Sequence, residues 1–307
     1  MRDIPNRSGG RILDQLSPDP LALAGGEWTA RLLPMQGGAC AALAWRGRDL
    51  LVPLPVGADP NAAFCGAFIM LPWANRLDSG HLPVAGTLYR LPVNRPEDNT
   101  AIHGIAREHP WRVAEAAPDR AVLEQTCDGA AADPPLPWRY RATLSLALRP
   151  EAARLALDLT NTASEPFPFG LGWHPFFLRP PGTRLRFAAG TLFARDARCL
   201  PVSPQPSFGV DGAESAYEGL DTHFAQWDGM AEILRPDLRL RLVAEGAWSR
   251  NLQVFAPAGS NVLCVEPVSH VPDAPNRPDI AAYGPMAMLP PGGTLSARIA
   301  MHAALPR

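Results

Sequence analysis

Strand-like alternation runs through this chain, and helical periodicity does not. Leu144, Leu146 and Leu148 alternate with Thr143, Ser145 and Ala147; after Pro150-Glu151-Ala152-Ala153, Leu155, Leu157 and Leu159 alternate with Ala156, Asp158 and Thr160. A period of two places every second side chain on one face, so this stretch predicts an antiparallel hairpin with one apolar face. Leu238, Leu240 and Leu242 against Arg239 and Arg241 repeat the pattern, and residues 82–91 predict a further hairpin turning near Ala85-Gly86. Short strands are predicted near 28–33, 39–45, 64–70, 111–116, 121–127, 184–188, 251–255, 262–266 and 294–301. No stretch of about three turns carries an i, i+3, i+4, i+7 stripe free of proline and glycine.

No internal repeat is visible, and no linker is long enough to divide the chain. Residues 201–219 are rich in Pro, Ser and Gly, but strand signals resume on both sides, which predicts a long surface loop. The first 25 residues carry no interpretable pattern and are expected to form an irregular arm over a sheet edge. The expectation is therefore all-β: one large antiparallel β-sandwich over residues 26–307.

Composition sharpens this picture. Of 307 residues, 47% are hydrophobic and 19% charged, enough for a large core. The 35 prolines and 26 glycines suit short strands and turns better than long helices. All 28 basic residues are arginine, and without lysine there is no Schiff-base chemistry, pyridoxal-phosphate anchor or Walker-type phosphate loop. A net charge of -2 argues against a nucleic-acid binder. The start, Met1-Arg2-Asp3-Ile4-Pro5, lacks an apolar signal core, and the longest nearly apolar run, 62–74, is too short to span a bilayer. A cytoplasmic protein without membrane contact is expected. Its five scattered cysteines form no CxxC pair and read as reduced, mostly buried residues.

Four polar sites stand out. His103 precedes Gly104; His174 sits among Trp173, Phe176 and Phe177; Asp221 lies near His223; and Glu266 ends the apolar run Val262-Leu263-Cys264-Val265. That run is apolar on both faces and predicts a central strand, where an ionised carboxylate must be paired or used. His223 and His270 are secondary candidates for lining a pocket, while His81, His109 and His302 fit ordinary turn or terminal positions. A metal site from His103, His174, His223 and Glu266 is the weaker reading, because no HxH or HExxH spacing supports it.

Taken in order, these residues resemble the aldose 1-epimerase (galactose mutarotase-like) family from about residue 50 to the C-terminus. Asn75-Arg76, Gly80, Gly86, Tyr89-Arg90-Leu91, Asn94, Asn99 and His103-Gly104 are similar to its first block. Gly172-Trp173-His174-Pro175-Phe176-Phe177 resembles its second histidine segment, and Leu220-Asp221 with Phe224 its aspartate segment. Val265-Glu266-Pro267, followed by Pro272-Asp273-Ala274 and Asn276, resembles its glutamate segment.

The resemblance implies a β-supersandwich and a cofactor-free, metal-free isomerase that interconverts α and β anomers of a free aldose. It implies Glu266 as general base on the C1 hydroxyl, His174 as general acid on the ring oxygen, and His103 as a hydrogen-bonding aid. Arg76 and Asp221 would hold sugar hydroxyls, with Asn75 on the same wall. The partner implied is a small monosaccharide, and nothing in the sequence specifies an oligomeric state. The chemistry suits these residue types: ring opening takes a proton from one oxygen and gives it to another, which a carboxylate and an imidazole can do near neutrality. Nearby Glu266 and Asp221 are expected to raise the histidine's pKa.

Three alternatives stay open. A non-catalytic sugar-binding module would keep the fold. A glycosidase or lyase would pair Asp221 with Glu266 in a cleft lined by some of the eight tryptophans. A mutarotase for a sugar bearing a C6 phosphate or sulfonate would need arginines for the oxyanion, with Arg184, Arg186, Arg195 and Arg198 as candidates.

Overall fold

The computed structural model describes residues 20–61, 64–131 and 135–306. Within them, nineteen strands join into one continuous network, accompanied by three two-stranded ribbons, and every strand pair is antiparallel. Among the described residues the one α-helical element is a single turn, Pro278–Ala281. No helix among the described residues is long and apolar enough to cross a membrane.

The leucine hairpin forms as its alternation predicts. Strands Arg139–Arg149 and Ala152–Asn161 pair with Arg149 opposite Ala152, leaving Pro150-Glu151 as the turn. Leu144 faces Leu157 and Leu146 faces Leu155, all four inside the core. Each such buried leucine contributes roughly 1.5–3 kcal/mol relative to exposure. The hairpin His81–Val84 with Thr87–Arg90 turns at Ala85-Gly86, as expected. All eight tryptophans lie in the same central core.

Three expectations need correction. Residues 21–25 are not irregular: Leu21–Gly25 is a strand that pairs with Trp28–Leu33, and the expected arm's residues 1–19 lie outside the described residues. Residues 201–219 are not simply a loop. Pro201–Pro206 and Val210–Gly212 are short strands that pair with Arg184–Arg195. Pro201, Pro204 and Pro206 are tolerated because the first of these strands pairs on one side only, so their missing N–H groups break no second ladder. The third is the longest strand, Asp221–Leu234, which the alternation did not reveal. Gln226 and Gly229 have φ of 57° and 83°, and its pairing with Arg184–Arg195 slips between Phe187 and Ala189. These bulges break the period of two that a strand reading depends on.

Strand Val262–Val268 organises the site. All seven of its residues are buried, as expected for a central strand. Leu263 and Val265 enter the main core, whereas Val262, Cys264 and Val268 pack with Phe68, Met70, Ala74 and Phe176 on the other face. Glu266 shares that second face, two residues from Cys264 and two from Val268.

Candidate active site

Register brings the His174, Asp221 and Glu266 segments together, since directly opposed residues of an antiparallel pair share a face. Gly172 pairs with Val268 and Phe177 with Leu263, which sets His174 across from Glu266. On the other side of the glutamate strand Gln253 pairs with Glu266, and beyond His174 lies Phe68. One row therefore reads Phe68, His174, Glu266, Gln253. In the adjacent row Phe255 pairs with both Asp221 and Cys264.

Of these residues, His174, Glu266, Gln253, Asp221 and Phe255 line a pocket of about 170 Å³, together with Asn75, Arg76, Arg95, Ile102, His103 and Phe64. All six site residues expected from the sequence, His103, His174, Glu266, Asn75, Arg76 and Asp221, line this one pocket. A second hollow of about 340 Å³ shares His103, His174, Arg95 and Phe255 with it and continues to Asn61, Arg107 and Phe176.

His174 Nε2 lies 3.5 Å from Glu266 Oε1, with both side chains almost fully buried. The imidazole packs against two neighbouring aromatic rings, with centroids 4.7 Å from Phe68 and 4.6 Å from Phe176, themselves 6.2 Å apart. Burial pushes its pKa down to about 3, with Arg107 adding to the effect. This reverses the expected upward shift. The sequence places carboxylates near His174 but does not reveal the Phe68 and Phe176 rings packed against it, which exclude water. Burial likewise raises the Glu266 carboxyl well above its usual range; Asp221 adds repulsion, while Arg195 and Arg76 oppose it. Both groups are thus driven toward their neutral forms.

His103 has φ of 66°, and the Gly104 that follows is needed for close approach: a Cβ there would sit 2.0 Å from the Leu71 carbonyl oxygen. The Asn75 backbone N–H donates to His103 Nδ1 at 3.3 Å, so the proton of the neutral ring belongs on Nε2. Arg76 Nε donates to Asp98 Oδ2 at 3.0 Å, in an ion pair with both partners under one-tenth exposed. Asn75 Oδ1 accepts from the Arg76 backbone N–H at 2.9 Å, which supports the expected shared wall. Asp221 accepts from Gln253 Nε2 at 2.7 Å and pairs with Arg195. Burial raises the Asp221 pKa, and Arg195 and Arg76 pull it back.

Three buried atoms on the pocket floor or wall have no hydrogen-bond partner: His174 Nδ1, Glu266 Oε2 and Gln253 Oε1. Two are acceptors, which hydroxyl donors of a polyol would satisfy.

Other candidates are not in the pocket. His223 Nε2 contacts Asn251 Oδ1 at 3.0 Å beside Phe193. His270 accepts from the Ala74 N–H through Nε2 and uses Nδ1 on the Val271 carbonyl, a structural clamp. The weaker reading, a metal quartet of His103, His174, His223 and Glu266, is therefore not assembled, because His223 lies outside the pocket. Among the described residues the group whose ligand atoms converge is His174, Cys264 and Glu266. Arg184 and Arg186 face Asp211 and Glu232 on an exposed surface, and Arg198 pairs with Asp78. The cysteines carry free thiols; Cys264 is buried, while the other four are half-buried rather than buried as expected. No tryptophan lines the pocket; Phe64 and Phe255 are its phenyl rings.

Sequence reasoning missed Gln253, Phe255, Arg95 and Ile102 in the lining, and Asp98 and Arg195 as partners. Gln253 and Phe255 enter through the pairing of strands distant in sequence.

Residues 30–302 match the Aldose 1-epimerase family. The uncharacterized protein YphB of Escherichia coli strain K12 is 26% identical over 281 residues, 87% of this chain and 93% of that protein. A galactose mutarotase-like protein from Clostridium acetobutylicum has a similar fold, with a TM-score of 0.79 at 18% identity over 93% of this chain and 95% of its own. A galactose 1-epimerase from Lactobacillus acidophilus gives 0.75 at 15% identity over 97% and 99%. With motifs in order, an all-β fold shared with mutarotase-like proteins and a family match across most of its length, the chain belongs to the aldose 1-epimerase family.

Proposed function

We propose that this protein interconverts the α and β anomers of a free aldohexose, with Glu266 as base and His174 as acid. One observation carries the reading: the carboxyl and the imidazole, far apart along the chain, face each other at 3.5 Å in a monosaccharide-sized pocket. The ring opens when Glu266 takes the C1 hydroxyl proton, the C1–O5 electron pair moves to O5, and His174 gives O5 its proton. Rotation about C1–C2 and the reverse transfers close the other anomer.

The pair needs a single proton between its two members. With the proton on His174 and Glu266 ionised, it opens the ring; with the proton on Glu266 and His174 neutral, it closes it. Burial favours the neutral arrangement, and hydroxyl groups donating to Glu266 offset that preference when sugar is bound. His103, donating through Nε2, steadies the ring-oxygen side, while Arg76 and Asp221 hold hydroxyls. Polarimetry on fresh α-glucose or α-galactose tests the reading: Glu266→Gln and His174→Asn should each slow anomer exchange at least about 10²-fold. Near-wild-type rates in either variant remove that residue from its role.

A second substrate reading, a sugar with an anionic C6 group, is favoured by Arg107. Its guanidinium lies over the Phe68 ring at 4.9 Å, its Nε is buried without a partner, and it forms no ion pair among the described residues. With O1 at Glu266 and O5 at His174, C6 extends past O5 toward the outer hollow that Arg107 lines. Anomer exchange by NMR across glucose, galactose, a 6-phosphate and a 6-sulfonate separates the two readings.

A further inference from the structure

We propose that His174, Cys264 and Glu266 form a three-ligand site for zinc(II), through which the free ion blocks the sugar pocket. The proposed reaction has no use for Cys264. It lies on the glutamate strand two residues before Glu266, so both side chains leave the same face. Phe255 pairs with it on one side, and Phe176 packs beside it in the same cluster. An apolar side chain would fill this position equally well. A thiol there adds a soft ligand within reach of an imidazole and a carboxylate.

The geometry is close to what zinc requires. The three ligand atoms all lie within 4.8 Å of one another, and the His174–Glu266 edge is 3.5 Å. Bond lengths of roughly 2.0–2.3 Å in a tetrahedral shell place neighbouring ligand atoms roughly 3.3–3.7 Å apart. The imidazole–carboxylate edge already has this length, and the thiol needs an approach on the order of 1 Å. Sulfur, nitrogen and oxygen donors together suit zinc better than magnesium or calcium. Glu266 Oε2 is buried without a partner, so the carboxylate keeps an acceptor that nothing within the protein satisfies. His174 and Glu266 line the pocket and Cys264 lies behind them, so in the proposed site the fourth ligand would be a water from the pocket side, as in a three-ligand zinc site. A metal held there ties up the base and the acid together and occupies the space where C1 and O5 would sit.

The blocking half of this proposal rests on the mutarotase reading; the binding half does not. Untagged protein stripped with a chelator is titrated with cobalt(II) as a spectroscopic probe, then with zinc(II). Wild type should bind one equivalent of cobalt with a thiolate-to-metal charge-transfer band and the visible bands of a tetrahedral ion, and zinc should displace it. Cys264→Ser and Cys264→Val should each lose the charge-transfer band and weaken zinc binding at least about tenfold. Cys264→Val keeps the apolar packing should the serine variant fold poorly. In chelated buffer Cys264→Val should retain wild-type mutarotation. Added zinc should inhibit wild type competitively with sugar and inhibit this variant at least about tenfold more weakly. Absence of cobalt binding, or a charge-transfer band that persists in Cys264→Val, overturns the site. Zinc bound at Cys264 without inhibition overturns the blocking half. If wild type binds cobalt as described yet never exchanges anomers, the mutarotase reading fails and the metal site stands.

Discussion

Asn75 and His103 hold each other by two reciprocal hydrogen bonds: the Asn75 N–H donates to His103 Nδ1 at 3.3 Å, and the His103 N–H donates to the Asn75 carbonyl at 3.0 Å. Both residues have left-handed backbone, with φ of 58° and 66°. The clamp turns the His103 ring so that its remaining nitrogen is a donor beside His174, whose ring centroid is 5.2 Å away. Asparagine tolerates this backbone and can accept the same N–H through Oδ1, but it ends before the pocket donor. His103→Asn should therefore keep stability within about 1 kcal/mol while slowing mutarotation about 10- to 100-fold. His103→Val should lose stability as well, because a β-branched residue is strained at this φ. Denaturant melts beside anomer-exchange rates check the separation.

Glu266 and His174 are proposed to pass one proton between them, so neither works without the other. The double variant Glu266→Gln/His174→Asn should be about as slow as the slower single variant, not slower by the product of both losses. Saturation-transfer NMR on equilibrated glucose measures all four proteins on one scale. Multiplicative losses would mean that the two side chains act in separate steps.

Arg107 offers a separate test of substrate class. Arg107→Met keeps an apolar contact with Phe68 and removes the charge. If the outer hollow receives an oxyanion, kcat/KM for a hexose 6-phosphate should fall at least about tenfold, with the value for glucose within about twofold of wild type. Equal effects on both sugars would assign Arg107 to packing alone.

Much of this site was legible in the linear sequence because its central elements announce themselves locally. Val262 to Val265 is apolar at successive positions, which marks a strand covered on both faces and makes the following glutamate conspicuous. The histidine at 174 sits in a run of aromatics, and the Leu144–Leu157 ladder needed only a period of two. What stayed hidden is non-local. Gln253 becomes a pocket residue only because its strand pairs with the glutamate strand in one register. Arg184 and Arg186 were indistinguishable in sequence from Arg107, yet they face Asp211 and Glu232 in solvent whereas Arg107 lies against Phe68. The direction of the His174 pKa shift failed for the same reason: charge proximity can be guessed from sequence, but exclusion of water by Phe68 and Phe176 cannot.

His270 carries a prediction about stability rather than turnover. Its ring packs against Gly170, where a Cβ would come within 2.3 Å of the imidazole, and both ring nitrogens are engaged with backbone. Burial lowers its pKa from 6.5 to about 4, the Val271 bond opposing. The unfolded chain therefore takes up a proton at this residue below about pH 6.5, whereas the folded protein does so only near pH 4. The contribution is present in full above the unfolded value and is lost as pH falls through this window, at about 1.4 kcal/mol per pH unit, or about 3 kcal/mol across it. Glutamine at this position can accept the Ala74 N–H without titrating. Wild type should thus exceed His270→Gln in stability at pH 7, and that margin should shrink by about 3 kcal/mol by pH 4. Urea unfolding of both proteins at half-unit pH steps measures the margin; a difference independent of pH would mean that His270 is protonated to the same extent in the folded and unfolded chains.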